Sequence, residues 1–398
     1  MIGRRTFFGA ATASVALGSL LKSQAAAAAA QAAGQIAGNY DPRGMVGRLE
    51  RLGTLDLESQ QDFTEGFRLM HGKMIRKASN DALERVLARN GIDPTTPLTK
   101  EELIALVENE PAINIASKAW LANQQVTWKS LQDHFHRHAD EYLSEMDAAD
   151  RAGPGALELN PSMDVPAYTR HEIHIQPGGY VGDPFAGHMY HYGTNSFYIG
   201  VIGHNEQDQI HKGTAARIPL PQDGKVKRIL DMGCGVGQMT AAMKERFPDA
   251  EVWGIDIGGP MVRYAHMRAA NLGIGANFAQ RLAEDTKFPD GYFDIVVSYI
   301  MHHELPAHIT RAVIVEAERV TRPGGVYYPV DFLSGGTKMP ARNMYGRWWD
   351  HRWNNEVWSF EYHGLDFTQE IAKRAFTINK ATPAALPGFG ARHAVRNA

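Results

Sequence analysis

The chain has 398 residues, 44% apolar and 21% charged, with 41 Lys and Arg against 44 Asp and Glu for a net charge of −3. That composition is ordinary for a soluble globular protein and argues against a disordered, collagenous or multi-span membrane chain. The charge gives no electrostatic footprint for nucleic acid, and a single cysteine, Cys234, excludes an intramolecular disulfide.

The chain opens with Arg4-Arg5-Thr6-Phe7, an apolar run to Leu21, then Lys22 and an alanine tract from Ala25 to Ala30. The run is too short to cross a bilayer as an ordinary helix. Residues 1–30 do have a basic start, an apolar middle and a small-residue cleavage region, the parts of a signal peptide. The paired arginines resemble a twin-arginine export signal. That resemblance implies a periplasmic or exported protein with no stable membrane span; the alternative is an attached Ala-rich tail on a cytoplasmic protein. Cleavage would remove Arg4, Arg5 and Lys22 and no acid, leaving a net charge of −6. Residues 31–55, with Gly34, Gly38, Pro42, Gly44 and Gly53, read as a linker.

From residue 56 to 149 the pattern is helical. Leu83, Val86 and Leu87 share one helix face, closed by Gly91. Thr99-Lys100-Glu101-Glu102 predicts a capping box before the apolar stripe of Leu103, Leu106 and Val107. Ile113 to Met146 holds one long helix or two. This region is read as a helical accessory or homodimerisation domain. Residues 150–224 are rich in Gly, Pro, aromatics and histidines, and predict a connector of short strands or loops that forms a wall of the active site. Six of the 17 histidines fall between His171 and His211. The pairs His171/His174 and His188/His191 have a spacing that could ligate a metal, but no cysteine and few acids accompany them. An acceptor-pocket wall is the preferred reading, and no metal site is assigned. His134, His136 and His138 are expected on an exposed helix face.

From Lys225 strands and helices alternate, which implies a parallel sheet covered on both faces. Strands are predicted at 226–230, 251–257, 277–282, 293–300 and 326–332. The fourth is nearly all apolar, as a strand buried on both faces should be. Helices are predicted after the first strand, at 307–321 and at 367–375, and a closing hairpin at 376–381 and 391–395.

Between the first strand and its helix lies Asp231-Met232-Gly233-Cys234-Gly235-Val236-Gly237-Gln238. Glycines serve where backbone turns sharply and approaches a ligand. The spacing G-x-G-x-G differs from the dinucleotide fingerprint G-x-G-x-x-G, and Asp231 would repel a pyrophosphate while suiting a cation. This segment resembles the first motif of class I S-adenosylmethionine (SAM) methyltransferases. Gly254-Ile255-Asp256-Ile257, Ala283-Glu284-Asp285 through Phe293-Asp294, and Arg319 through Gly325 resemble three further motifs of that family, in order. The resemblance covers Lys225 to the C-terminus.

It implies an α/β fold, a seven-stranded Rossmann-like methyltransferase sheet preceded by the helical accessory domain, with SAM as cofactor. By resemblance Asp231 helps hold the methionine amino group, with Gly233, Gly235, Gly237 and Gln238 forming the loop around the cofactor. Asp256 accepts both ribose hydroxyls, Ile257 packs on one adenine face, and Ala283 and Glu284 belong to the adenine-side loop. Leu282 stands where many relatives have Asp, so Glu284 or a backbone carbonyl takes over as adenine acceptor.

Methyl transfer requires alignment of the acceptor, and a hydroxyl acceptor also requires a base. His302 and His303, after the fourth strand, are the candidates for that base or for orienting the acceptor; the bland alternative packs one against the cofactor and leaves the other structural. Ser298 is expected to line the cofactor. Trp348, Trp349, Trp353 and Trp358 fall in the insertion 338–363, read either as an aromatic lid over the acceptor or as a surface packed on the helical domain. The chain is therefore expected to methylate a small-molecule acceptor, with O-methylation slightly favoured. The rival expectation is a non-catalytic SAM-binding scaffold.

Overall fold

The computed structural model describes residues 45–46, 48–197, 207–383 and 389–398. The signal-like segment 1–30, most of the linker, and Tyr198 and His204 of the connector lie outside them. At the centre is a sheet of eight strands. These are β1 (Leu157–Glu158), β2 (Arg228–Met232), β3 (Glu251–Asp256), β4 (Asn277–Gln280), β5 (Phe293–Tyr299), β6 (Thr321–Phe332), β7 (Phe376–Pro383) and β8 (Phe389–Arg396). Their order is β7-β8-β6-β5-β2-β3-β4-β1. The strands from β6 to β1 pair in parallel, and β8 runs antiparallel to both β6 and β7.

Among the described residues the sheet thus has eight strands rather than the expected seven. The eighth, β1, comes from the connector: Phe278 N donates to the Ala156 carbonyl at 2.8 Å, and Ala156 N donates to Asn277 Oδ1 at 3.0 Å. Two residues of strand carry no alternation for a sequence pattern to reveal. In β5, Ile295, Val296 and Val297 are all fully buried, so this strand has apolar neighbours on both faces.

The N-terminal helices are α1 (Leu55–Met70), which runs through a π-helical turn into α2 (Arg76–Arg89), then α3 (Lys100–Val107), α4 (Pro111–Arg137) and α5 (Ala139–Ala149). The capping box is present, with Glu102 N donating to Thr99 Oγ1 at 3.1 Å and Thr99 N to Glu102 Oε2 at 2.7 Å. The stretch 113–146 is two helices, broken at His138, whose φ of −109° and ψ of 25° leave the helical region. His134 is buried, with Nε2 3.0 Å from the Tyr142 hydroxyl, so the three-histidine face is not wholly exposed as expected.

This region does not stand apart from the sheet. Trp128, Leu131 and Phe135 of α4 pack in one cluster with Val236 of the glycine loop and with Met261 and Tyr264 of α9 (Gly259–Asn271), the helix after β3. The connector supplies two helices where loops or strands were expected, α6 (Ala186–Phe197) and α7 (Gln207–Arg217); α8 (Gln238–Arg246) follows the glycine loop. Glycine reads as a breaker in sequence, but in α6 it is a packing device. A Cβ on Gly193 would sit 1.9 Å from the Trp128 ring, and one on Gly187 would sit 2.4 Å from Tyr264 Cβ. Gly193→Ala is therefore expected to destabilise the fold by about 1–3 kcal/mol through overpacking, read as a lower urea midpoint at unchanged slope.

The remaining helices are α10 (Ala307–Val320), α11 (Ala341–Trp353), α12 (Ser359–Gly364) and α13 (Phe367–Ala372). Among the described residues, no helix is long and apolar enough to cross a membrane.

Candidate active site

A cleft opens at the carboxyl ends of β2, β3 and β5, the edge at which parallel sheets of this kind bind ligands. Of the twelve site residues expected from the sequence, eight line it: Asp231, Gly233, Gly235, Gln238, Asp256, Ile257, Ala283 and Glu284. Gly237, Ser298, His302 and His303 do not.

Asp231 lies next to the carboxyl end of β2, in the middle of the sheet, and is fully buried. Its Oδ2 accepts from Thr240 Oγ1 at 2.6 Å, while Oδ1 finds no donor. Burial holds this carboxyl up at about 7. An orphaned carboxylate oxygen at a cleft suits a cationic amino group. Asp256 ends β3, with Oδ2 accepting from Gly235 N at 2.9 Å and Oδ1 from Gly258 N at 2.8 Å. Burial raises its pKa against these backbone donors. Each carboxylate oxygen keeps a second lone pair, so Asp256 can also accept two hydroxyls from a ligand.

Gly235 has φ +52°, and a Cβ there would find only Met261 Cε, at 3.9 Å. Its bare backbone leaves that space to a ligand. Gly237, at φ +76°, plays a different part from the one expected. A Cβ on it would meet the Phe278 ring at 2.8 Å, so its role is close packing of α8 on the sheet. Gln238 opens α8, and its Nε2 donates to Asp208 Oδ1 of α7 at 3.0 Å. Cys234, between the glycines, is a buried free thiol whose pKa burial raises well above the ordinary value, as befits a small filler.

Ile257, Leu282, Ala283 and Glu284 line one part of the cleft. Glu284 Oε1 accepts from the Tyr168 hydroxyl at 2.5 Å, which ties the connector to the β4–β5 loop.

The two candidate bases are placed elsewhere. His302 is fully buried behind the cleft, its Nε2 2.9 Å from the Tyr327 hydroxyl and its ring 4.5 Å from Phe367. Burial lowers its pKa to about 4. His303 is 2% exposed, and Nδ1 donates to Asp331 Oδ1 at 2.8 Å. Burial opposes its charge, but Asp331, Glu356 and Glu304 outweigh burial and push it up to about 10. Its ring is buried against Asp331 and does not line the cleft. Ser298 is buried inside the sheet between β2 and β6 rather than on the cofactor side. The physical reason is a turn: β5 ends at Tyr299, Ile300 takes φ +56°, and the chain then presents Met301 and Glu304 to the cleft while sending both histidines inward.

What does face the cleft there is His174, Glu304, Tyr190 and Tyr299. Glu304 is held up at about 7 by burial, and burial lowers His174 to about 4. Glu356 stands behind them, with Oε1 3.2 Å from His174 Nδ1. His174, expected in a wall of the acceptor pocket, lines the cleft, while His171 packs near Trp358. His188 and His191 belong to the aromatic packing around Tyr264, and among the described residues neither x2-spaced pair is part of a three-residue cluster of metal-binding side chains. Glu356 carried no sequence signal, because its neighbourhood is set by a long-range approach.

The tryptophan segment 338–363 packs on the N-terminal helices. Tyr345 and Trp348 join Leu83, Leu87, Leu103 and Ile113, and Trp349 Nε1 donates to Ser117 Oγ at 3.0 Å. Trp358 Nε1 donates to the Tyr168 carbonyl at 3.0 Å, bracing the cleft wall from outside. None of the four tryptophans lines the cleft.

With this geometry in place, similarity to known proteins can be set beside it. Residues 229–325 match the family model described as a methyltransferase domain. The chain is 35% identical over 115 residues to demethylmenaquinone methyltransferase of Thermus thermophilus, covering 29% of this chain and 51% of that protein. It is 31% identical over 123 residues to fatty-acid O-methyltransferase of Mycolicibacterium smegmatis, covering 31% and 42%. The chain thus spans about half the length of the curated relatives it matches. Among solved structures, it resembles phosphoethanolamine N-methyltransferase 2 of Haemonchus contortus, in complex with phosphomonomethylethanolamine and S-adenosylhomocysteine, at 17% identity and a TM-score of 0.39, covering 55% of this chain and 61% of that one.

Proposed function

We propose that the chain is a SAM-dependent methyltransferase acting on a small-molecule acceptor. The observation that carries this reading is the pair of strand-end carboxylates: buried Asp231 with an unpartnered oxygen, and Asp256 on the adjacent strand, both lining the cleft beside the glycine loop. The match of residues 229–325 to a methyltransferase domain supports it. When bound, SAM supplies a methyl group already activated by a sulfonium.

Every other task falls to the protein. Asp231 pairs with the cofactor's amino group, Asp256 accepts the ribose hydroxyls, and Gly235 lets the backbone lie close to the ligand. Ile257 and Ala283 offer apolar contact, and Glu284, anchored by Tyr168, borders the same loop. Walls of Tyr190, Tyr299, Ile173 and Leu305 keep water from the acceptor. An O-methyl acceptor is favoured because Glu304, held near 7, can take or polarise a hydroxyl proton there. The Arg4-Arg5 segment supports export by the twin-arginine route, which cell fractionation with N-terminal sequencing would test.

Calorimetric titration with SAM tests the cofactor assignment and its pH dependence. Asp231, at about 7 without ligand, must be ionised to pair with a cationic amino group. The sign follows: protons compete with the cofactor, so affinity falls below pH 7, by up to about tenfold per pH unit, and stops rising once the carboxyl is ionised above it. Asp231→Asn is expected to bind weakly with no such slope. A pH-independent affinity from 5.5 to 7.5 in the wild type would contradict the role given to Asp231.

A further inference from the structure

The residues at the acceptor end are more organised than methyl transfer alone requires. Three segments far apart in sequence meet there: the turn at His174, the turn after β5 that carries Glu304, and the Asn354-Asn355-Glu356 stretch after α11. One donor atom from each of His174, Glu304 and Glu356 lies within 4.8 Å of the others. His174 Nε2 is 3.6 Å from Glu304 Oε1, and His174 Nδ1 is 3.2 Å from Glu356 Oε1.

A second, independent observation concerns the lone pairs. Glu356 is only 5% exposed, yet its Oε2 has no hydrogen-bond partner, and Glu304 Oε2 has none either. Among the described residues, no Lys or Arg forms an ion pair with either glutamate. Among the described residues, His303 Nε2 stands 3.7 Å and 3.8 Å from them, and its Nδ1 is engaged by Asp331 Oδ1 at 2.8 Å. Ionised, the two glutamates would carry an uncompensated charge of about −2 in a buried site, which proteins avoid unless protons or a metal neutralise it.

We infer that His174, Glu304 and Glu356 form a binding site for one divalent first-row metal ion at the acceptor end of the cleft. The donor set is one imidazole nitrogen with carboxylate oxygens, a combination that suits Mn2+ and its first-row neighbours better than an all-oxygen Mg2+ site. His174 and Glu304 line the cleft while Glu356 closes the site from behind, so the ion's open positions face the ligand space. The inference uses neither Asp231 nor Asp256 but shares Glu304 with the proposed acceptor chemistry, so Mn2+ binding measured without SAM separates its failure from that of the methyl-transfer reading.

The test is a Mn2+ titration of the purified chain without SAM, followed by loss of the free-ion paramagnetic resonance signal, for the wild type and Glu356→Gln. Gln has the shape of a protonated Glu, so the variant separates the two ways of neutralising the cluster. The expected result is about one Mn2+ per wild-type chain with a raised melting temperature. Glu356→Gln should fold with the apo wild-type melting temperature and bind Mn2+ more than about 100-fold more weakly, beyond the 10–100-fold typical of outer-shell changes. A wild type that leaves Mn2+ free at millimolar concentration, or a Glu356→Gln chain that binds it as the wild type does, would overturn the site. If Glu356→Gln fails to fold, His174→Gln takes its place with the same two outcomes.

Discussion

Asp256→Ala is expected to weaken SAM binding by about a thousandfold. The carboxylate has two oxygens, each already fixed by one backbone donor, from Gly235 and Gly258, and each with a lone pair to spare. Two ribose hydroxyls accepted by an ionised group are worth about 1.5–3 kcal/mol apiece, so the pair accounts for two to four orders of magnitude. The substitution also strips the acceptor from Gly235 N and Gly258 N, which loosens the glycine loop itself. Asp256→Asn separates the two effects. It preserves the shape and one acceptor oxygen, so its loss should be intermediate while its melting temperature stays near that of the wild type. Calorimetry on both variants checks this; an Asp256→Ala chain that binds SAM within tenfold of the wild type would remove Asp256 from the site.

The second large effect is expected at the opposite chemical task. Glu304→Gln should lower turnover by about 10²–10³-fold, the range of a lost proton-handling group, while leaving SAM affinity within about twofold. The geometry separates the functions: Glu304, on the turn after β5 and beside His174, makes no contact with Asp231, Asp256 or the glycine loop among its hydrogen bonds and ion pairs. Gln removes the charge and keeps the volume, so a loss in SAM affinity of the same size as the loss in turnover would show that Glu304 serves the cofactor instead.

The parts of this architecture that repeat or bury continuously were legible in the sequence. β5 announced itself by unbroken apolar residues, the capping box of α3 by Thr99 and Glu102, and the cofactor side of the cleft by the loop from Asp231 to Gln238. What lay beyond a strand end was not. A periodic pattern says which residues alternate along β5 but nothing about the direction taken after Ile300 turns to positive φ, where the chain sends His302 and His303 into the core rather than toward the ligand. The glycines of α6 misled for a related reason. Their value lies in letting Trp128 and Tyr264 approach, a fact of tertiary contact rather than of local propensity. Glu356 belongs to the same class, since only the docking of α11 on α2, α3 and α4 carries it to a place behind His174. The tryptophans that suggested a lid are the means of that docking.

The account as a whole rests on methyl transfer from SAM, and the most direct measurement is transfer of label from methyl-tritiated SAM. The purified chain would be incubated with a small-molecule extract, and S-adenosylhomocysteine and tritiated organic product quantified together. The account predicts equal molar yields of the two, dependent on extract, abolished by Asp256→Ala and strongly reduced by Glu304→Gln. S-adenosylhomocysteine formation no faster than in protein-free controls, across lipid, quinone and phenolic extracts, would contradict it.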